Sequence, residues 1–167
     1  MDSVERMIVD SDSSVYIGAN SFSTGSHGKQ DTLVIKLSST YTQVWGKYWG
    51  GTEEETTGDM TVSSDGVYIA GNTQTPSMTN GDRDLFILKL SKTDGSNLFA
   101  QLFGSTSFEY AVSIKISSGS IYVGAYSGSS TWSAGGADFI ILKLDASTGA
   151  KQWSRHYGGT NNDLVAD

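Results

Sequence analysis

Carboxylate side chains recur at matching places along the chain and are its first candidates for chemistry. Glu55 ends a run of three glutamates and Asp163 follows two asparagines, so both segments are rich in oxygen ligands. Hard cations such as Ca²⁺ bind such oxygens. The candidate metal ligands are Glu55, Glu109 and Asp163, and Asp2 occupies the corresponding place near the start. Their spacing matches neither an EF-hand nor a nonapeptide calcium loop, and the alternative is that these carboxylates are solvated or bonded to the backbone.

A second set of aspartates begins the most apolar segment of each repeat. Such a ring could supply ligands, but an Asp at the start of a strand commonly accepts hydrogen bonds from the backbone amides of a turn. We therefore expect these aspartates to be structural. The lysines that follow them are expected to lie along a strand or to pair with a carboxylate. The residues are Asp31, Asp84 and Asp138, with Lys36, Lys89 and Lys143.

Other catalytic and metal chemistries lack a supporting motif. His27 and His156 are the only histidines, and a histidine metal site or catalytic triad needs more partners than the residues around them provide. No serine lies in a G-x-S-x-G sequence, and no spacing singles out a pair of acids suited to glycoside hydrolysis. The absence of cysteine excludes disulfides and thiolate metal sites. No cofactor is expected.

Three long segments differ between the repeats and are the candidate binding loops. They contain Phe22, Pro76–Met78 and Trp132. Variable loops on a constant scaffold are where binding usually occurs, and an exposed Trp commonly anchors a protein interface or a sugar. Trp132 and Phe22 are therefore predicted ligand-binding residues. The alternative is that Trp132 folds back over its own repeat.

Composition excludes several classes of partner. The chain has 167 residues, a net charge of −7 and a pI near 4.6. A nucleic-acid binder needs a basic patch, and an anionic membrane surface attracts basic segments, so both partners are disfavoured. No apolar run has the length of a membrane span, and residues 1–20 lack the features of a signal peptide.

An internal repeat organises these residues. Trp45, Phe99 and Trp153 lie 54 residues apart, and a period near fifty is typical of propeller blades. Short runs rich in β-branched and aromatic residues divide each repeat into four strands, and no helical period is present. The sequence therefore predicts an all-β fold of three four-stranded antiparallel blades, with one domain over 1–167. The predicted blades are 3–52, 56–106 and 110–160, followed by a tail at 161–167.

The third strand of each repeat is apolar on both faces, which indicates a sheet covered on both sides. The predicted buried residues are Ile35, Ile87, Leu88, Ile141 and Leu142. In the second repeat the predicted strands are 60–62, 67–70, 85–90 and 98–103.

These motifs together resemble the bacterial seven-bladed, or SBBP, β-propeller repeat. Asp31, Lys36, Trp45 and Gly50–Gly51 carry the pattern in the first repeat, and matching residues carry it in the third. The second repeat departs from it with Phe99 and Ser105. The resemblance implies a propeller, often within large secreted or surface proteins, and therefore an extracellular or cell-surface location. It implies no fixed activity.

A second pattern, at 144–153, resembles the tryptophan-docking motif of quinoprotein dehydrogenase propellers. A D-x-x-T-G turn precedes Trp153 there, whereas the second repeat keeps only Asp94–Gly95. This resemblance implies a quinoprotein-like enzyme. The rival function is therefore an enzyme with a site on the propeller axis, either quinoprotein-like or a hydrolase.

Three blades are too few for a closed propeller, which has four to eight. The sequence therefore predicts a head-to-tail homodimer that forms a six-bladed ring, unless further blades of a longer chain complete it. The predicted function is a non-catalytic scaffold that binds a protein or glycan, or assembles, through its variable loops.

Overall fold

The computed structural model describes residues 2–23, 25–131 and 135–163, which form three four-stranded antiparallel sheets. In each sheet the strands lie side by side in chain order. These residues contain no helix, and hence none long and apolar enough to cross a membrane. The predicted all-β class and the division into three sheets of four strands are confirmed.

The strand bounds follow the repeat. The first sheet contains β1 (Ser3–Val9), β2 (Val15–Ser21), β3 (Asp31–Leu37) and β4 (Gln43–Trp49). The second contains β5 (Glu55–Ser63), β6 (Gly66–Thr73), β7 (Asp84–Leu90) and β8 (Asn97–Phe103). The third contains β9 (Glu109–Ser117), β10 (Ser120–Ser127), β11 (Asp138–Asp145) and β12 (Lys151–Tyr157). The predicted strands of the second repeat are all present, but β5 begins five residues before its predicted start at Met60.

The hairpins between third and fourth strands differ in one respect. In the second and third sheets each contains a glycine at positive φ, Gly95 at 70° and Gly149 at 73°. The hairpin of the first sheet is one residue shorter between its lysine and its aromatic residue, and Tyr41 adopts a φ of 61° there. A side chain in this left-handed region is unfavourable, so Tyr41 occupies a strained position.

Two apolar cores join the sheets into a row. At the first junction, between the first and second sheets, Tyr16, Val34 and Trp45 pack against residues such as Ile69 and Leu88. At the second junction, between the second and third sheets, residues on the opposite face of the second sheet pack on the third. They include Tyr68, Leu85, Ile87, Ile121, Ile140 and Leu142. The second sheet is thus covered on both faces.

The outer faces of the first and third sheets have no neighbouring sheet within the described chain. Ile87, Leu88 and Leu142 are buried as predicted, but Ile35 and Ile141 are only half-buried. The prediction for these two residues was wrong for the single chain, because each lies on an outer face whose neighbouring sheet is missing. The repeat pattern indicates which faces of a strand are apolar, but it does not indicate whether another sheet covers them.

Candidate functional site

The two sets of recurring acids meet at the junctions between sheets. At the first junction Asp31 begins β3 and Glu55 begins β5. The amide of Glu55 donates to the carbonyl of Gln30 at 2.8 Å, and Gln30 forms an isolated parallel bridge with Glu54. This short bridge places the starts of the two strands side by side. Both acids are completely buried.

Glu55 is held by three donors from its own sheet and the preceding turn. Its Oε1 accepts hydrogen bonds from the hydroxyls of Thr73, at 2.6 Å, and Thr75, at 2.7 Å. Its Oε2 accepts a hydrogen bond from the amide of Gly51 at 2.6 Å. Glu55 precedes the predicted strand start at Met60, but it is the buried first residue of β5, so its carboxylate is bound by the protein rather than by solvent.

Asp31 is held on one side only. Its Oδ2 accepts the amide of His27 at 2.6 Å and lies 2.9 Å from that residue's ring Nδ1. Its Oδ1 is buried and has no hydrogen-bond partner in the described part of the chain. A Cβ built on Gly50 would collide with both this Oδ1 and Oε2 of Glu55. The two carboxyl groups therefore converge on the same glycine, and only a glycine leaves room for them.

The second junction repeats this arrangement with Asp84 and Glu109. Glu109 accepts hydrogen bonds from the amide and hydroxyl of Ser105, at 2.9 and 2.7 Å, and from the Ser127 hydroxyl at 2.5 Å. Asp84 Oδ2 accepts the amide of Asn80 at 2.7 Å, and its buried Oδ1 has no partner among the described residues. Burial raises the pKa of Asp84, and the adjacent carboxyl group of Glu109 raises it further, although the amides of Asn80 and Ser105 oppose these effects.

The ends of the chain carry partial versions of the same cluster. The amide of Asp163 donates to the Ala137 carbonyl at 2.7 Å, and Oδ2 of Asp163 accepts the amide of Gly159 at 2.7 Å. Asp2 accepts hydrogen bonds from the Phe22 amide and from the hydroxyls of two nearby serines, which lower its pKa. The three candidate metal ligands and Asp2 therefore all accept hydrogen bonds from backbone amides or hydroxyls. Nowhere in the described ranges do three potential metal-binding side chains come together.

A second recurring set, a lysine and an aromatic residue, contacts the neighbouring sheet near the other end of the third strand. Lys36 Nζ donates to the Lys92 carbonyl at 2.9 Å, and Trp45 Nε1 donates to the same carbonyl at 3.2 Å. A Cβ on Gly95 would collide with the Trp45 ring, so this turn packs tightly on the preceding sheet. The contact between Gly95 and Trp45 thus joins the hairpin of the second sheet to the first sheet.

Lys89 makes the equivalent contact at the second junction. Its Nζ donates to the Ala146 carbonyl at 3.0 Å and to Asp65 Oδ2 at 2.8 Å, and it lies 5.0 Å from the centroid of the Tyr68 ring. The Tyr68 hydroxyl lies 3.0 Å from Oδ1 of Asp65 and 3.1 Å from the Ala146 carbonyl, and it can donate its one hydrogen to either acceptor. The sequence identified the lysines as repeated but not their acceptors, because a backbone carbonyl of the next sheet leaves no trace in residue type.

The predicted loop residues are distributed differently. Phe22 is 50% exposed directly after β2, next to the Asp2 cluster. Trp132 lies outside the residues that the structure describes, so its predicted binding role stays a prediction. Pro76–Met78 lies in the corresponding segment of the second sheet, where the Met78 amide donates to the Thr75 carbonyl at 2.8 Å.

The described residues form the same contacts at both junctions between sheets. Buried acids and hydroxyls form hydrogen bonds near the start of the third strand, and a lysine and an aromatic residue contact the next sheet near its end. Comparison of the chain with protein-family models gives no matching family, and comparison with curated proteins gives no match.

Proposed function

We propose that the chain is a non-catalytic scaffold that assembles through its two outer sheet faces. In this proposal the three sheets are blades of a propeller. Two copies join head to tail, the third sheet of each packing on the first sheet of the other, and form a ring of six. Six lies within the four to eight blades that propellers contain. The observation that supports this most is that the two uncovered faces are the two halves of a junction already made twice within the chain.

The uncovered face of the first sheet matches the face of the second sheet that packs on its neighbour. Met7 and Val9 occupy the repeat positions of Met60 and Val62. Met7 is 65% exposed, whereas Met60, covered by the first sheet, is 2% exposed. Leu33 and Ile35 likewise correspond to Phe86 and Leu88, which are completely buried. The face is therefore aliphatic and lacks only a neighbour.

The uncovered face of the third sheet has the complementary chemistry. Tyr122, Ile141 and Lys143 occupy the repeat positions of Tyr68, Ile87 and Lys89. Lys143 Nζ lies 5.6 Å from the Tyr122 ring centroid, as Lys89 lies over Tyr68. This lysine is thus positioned to donate to a carbonyl of a docked hairpin. A contiguous apolar face of this size on a soluble protein commonly marks an interaction surface.

One part of the junction between copies would differ from those within the chain. The first-sheet hairpin, which would dock on Trp153, is one residue shorter and has Tyr41 where its counterparts have glycine. Because a Cβ at Gly95 would collide with Trp45, the docked hairpin must shift slightly to accommodate Tyr41.

Light scattering on the purified chain tests the proposal. We expect a mass near twice 17.8 kDa at micromolar concentration, and a stable, folded monomer would contradict the ring. Met7→Asp places a charge on the first-sheet face and should yield the monomer. Leu98→Asp is the matched control, because Leu98 is 51% exposed although its own sheet is covered on both faces, so its side chain lies outside the junctions.

The loops that follow β2, β6 and β10 are the proposed binding elements of this scaffold. They vary between repeats, and Phe22 presents an exposed aromatic ring directly after β2. A protein or a glycan would bind there. Phe22→Ala should reduce binding to a glycan array or to a captured protein without changing the assembled mass, and an effect on mass alone would contradict this role.

A further inference from the structure

The two buried acid pairs, Asp31 with Glu55 and Asp84 with Glu109, have a feature that packing alone does not require. All four side chains are at most 1% exposed. Two ionised carboxylates buried side by side would repel one another without the compensation of water, and such pairs normally retain a proton. Nothing about these junctions depends on the proposed assembly, because both lie within one chain.

The donors around each pair indicate which oxygens are occupied. In the first pair, both oxygens of Glu55 and Oδ2 of Asp31 accept hydrogen bonds from amides or hydroxyls. The same oxygens of the second pair do so as well. The exception in each pair is Oδ1 of the aspartate. Protonation of that oxygen would turn a buried acceptor without a donor into a donor, with the neighbouring glutamate as its acceptor.

We propose that the second junction is closed by a carboxylic acid–carboxylate pair, in which Oδ1 of Asp84 carries a proton and donates a hydrogen bond to Glu109. Glu109 is the ionised member, because three hydrogen bonds from Ser105 and Ser127 already stabilise its charge. The proton thus forms a hydrogen bond that joins two neighbouring sheets.

A bound cation is the competing occupant, and the geometry disfavours it. Ca²⁺ takes six to eight oxygen ligands. Here the remaining oxygens are directed at N–H and O–H groups, and a fixed backbone amide such as that of Gly51 or Asn80 cannot rotate away to free its acceptor. Oδ1 of the aspartate is the one oxygen of each pair without a donor, and a single available oxygen is too few ligands for such an ion.

The proposal makes stability depend on pH with a definite sign. Burial raises the pKa of Asp84 above its ordinary value, so the folded state holds a proton that the unfolded state has released. The resulting stabilisation is complete below the unfolded pKa near 3.8 and is lost as the pH rises through the raised pKa.

The second junction is the better one to test. At the first junction the ring of His27 contacts Asp31, so a third proton-binding side chain belongs to that cluster. At the second, Glu109 faces Asp84 from the next sheet, and the neighbouring Arg83 places its guanidinium over the Tyr110 ring, 5.1 Å from the centroid.

The variant Asp84→Asn tests the proton directly. The amide can donate permanently to Glu109, so we expect the melting temperature of the variant to gain on that of the wild type as the pH rises above the ordinary titration range of Asp. Asp94→Asn is the matched control in the same sheet. Hydrogen bonds from Ser96 and Ser91 hold the pKa of Asp94 at about 2, so its variant should differ from the wild type by a constant amount above that range.

Infrared spectroscopy provides a second readout that does not depend on the variant folding. The wild type should retain a carboxylic-acid C=O stretch above the ordinary titration range of Asp and Glu, and Asp84→Asn or Glu109→Gln should reduce it. A spectrum without that band, or an Asp84→Asn variant that is less stable by the same amount at every pH, would overturn the proposal. So would a melting temperature that Ca²⁺ raises, relative to a chelator, in the wild type but not in the variant.

Discussion

Lys89 shows how a single charged residue can join two sheets. Its side chain is nearly buried, but its ammonium group has a carboxylate, a carbonyl and an aromatic face within reach. Each is a partner that offsets the cost of removing a charge from water. Because the carbonyl belongs to Ala146 of the next sheet, the lysine stabilises the junction as well as its own strand.

Asp65 completes this group, and its ionisation should govern part of the acid sensitivity. Burial raises its pKa, but hydrogen bonds from Lys89, Ser63 and Tyr68 outweigh that effect and lower the pKa to about 2. A lowered pKa means that the contribution is present above the unfolded value of 3.8 and is lost as the pH falls from there through about 2. In Asp65→Asn we expect a shallower loss of stability over this range, measured by urea unfolding. An unchanged slope would show that Asp65 does not hold the lysine.

Tyr41 is the residue where local geometry and side chain disagree most plainly. Its φ of 61° is the conformation that Gly95 and Gly149 adopt in the other hairpins, and its side chain is 76% exposed. Tyr41→Gly should therefore increase the free energy of unfolding by about 1 kcal/mol, the cost of the left-handed conformation for a residue with a Cβ. Gly95→Ala is the opposite case, because it introduces strain and a collision with Trp45. A loss of stability in Tyr41→Gly would mean that the tyrosine ring makes a contact worth more than the strain.

At the scale of the strand, the third strands could be predicted well from sequence, and their environment only in part. The run from Asp138 to Leu144 is apolar at neighbouring positions, which correctly indicates a strand that can be covered on both faces. Whether both faces are covered depends on neighbours, and the third sheet has one in the described chain. Ile140 is therefore buried and Ile141 half-buried, although both are isoleucines in the same strand.

The acid clusters illustrate a different limit. The repeat placed Asp84 in one set of recurring acids and Glu109 in another. The position of Asp84 at the start of a strand correctly suggested that a backbone amide donates to it. Their contact could not be predicted, because it depends on how the start of one sheet approaches the next. The signal that could have indicated it is the glycine after each fourth strand, since Gly50 and Gly104 leave the space that the carboxyl groups fill.

The two isoleucines of β11 give a matched pair of truncations. Ile140→Ala should cost about 2–5 kcal/mol, because it leaves a cavity in the core of the second junction. Ile141→Ala should cost about 1–2 kcal/mol in a diluted, monomeric sample, because less apolar area is removed from water there. Chemical unfolding at low and high protein concentration measures both. Equal costs at low concentration would mean that the outer face is already covered in the monomer.

At the scale of the whole molecule, an open row of sheets leaves one face uncovered at each end, whereas a closed ring leaves none. Each internal junction is made from a mainly aliphatic face and a face that carries a lysine over a tyrosine ring, so the row ends with one face of each kind. Unlike faces at the two ends favour head-to-tail joining over the pairing of like faces. Whether the row closes after two copies depends on the angle between neighbouring sheets, which the assembled mass reports.

Charge variants of the two ends distinguish these arrangements. Met7→Asp disables the first-sheet face and Ile141→Asp disables the third-sheet face, and burial of an unpaired charge opposes docking in either case. In a head-to-tail ring both variants should be monomers alone. Mixed together, they should recover one intact junction, between the third sheet of Met7→Asp and the first sheet of Ile141→Asp, and form a heterodimer with a Kd weaker than that of the wild type. Sedimentation of the separate and mixed samples measures this. If one variant alone remained dimeric, like faces would be pairing, and if the mixture stayed monomeric, the two end faces would not be complementary.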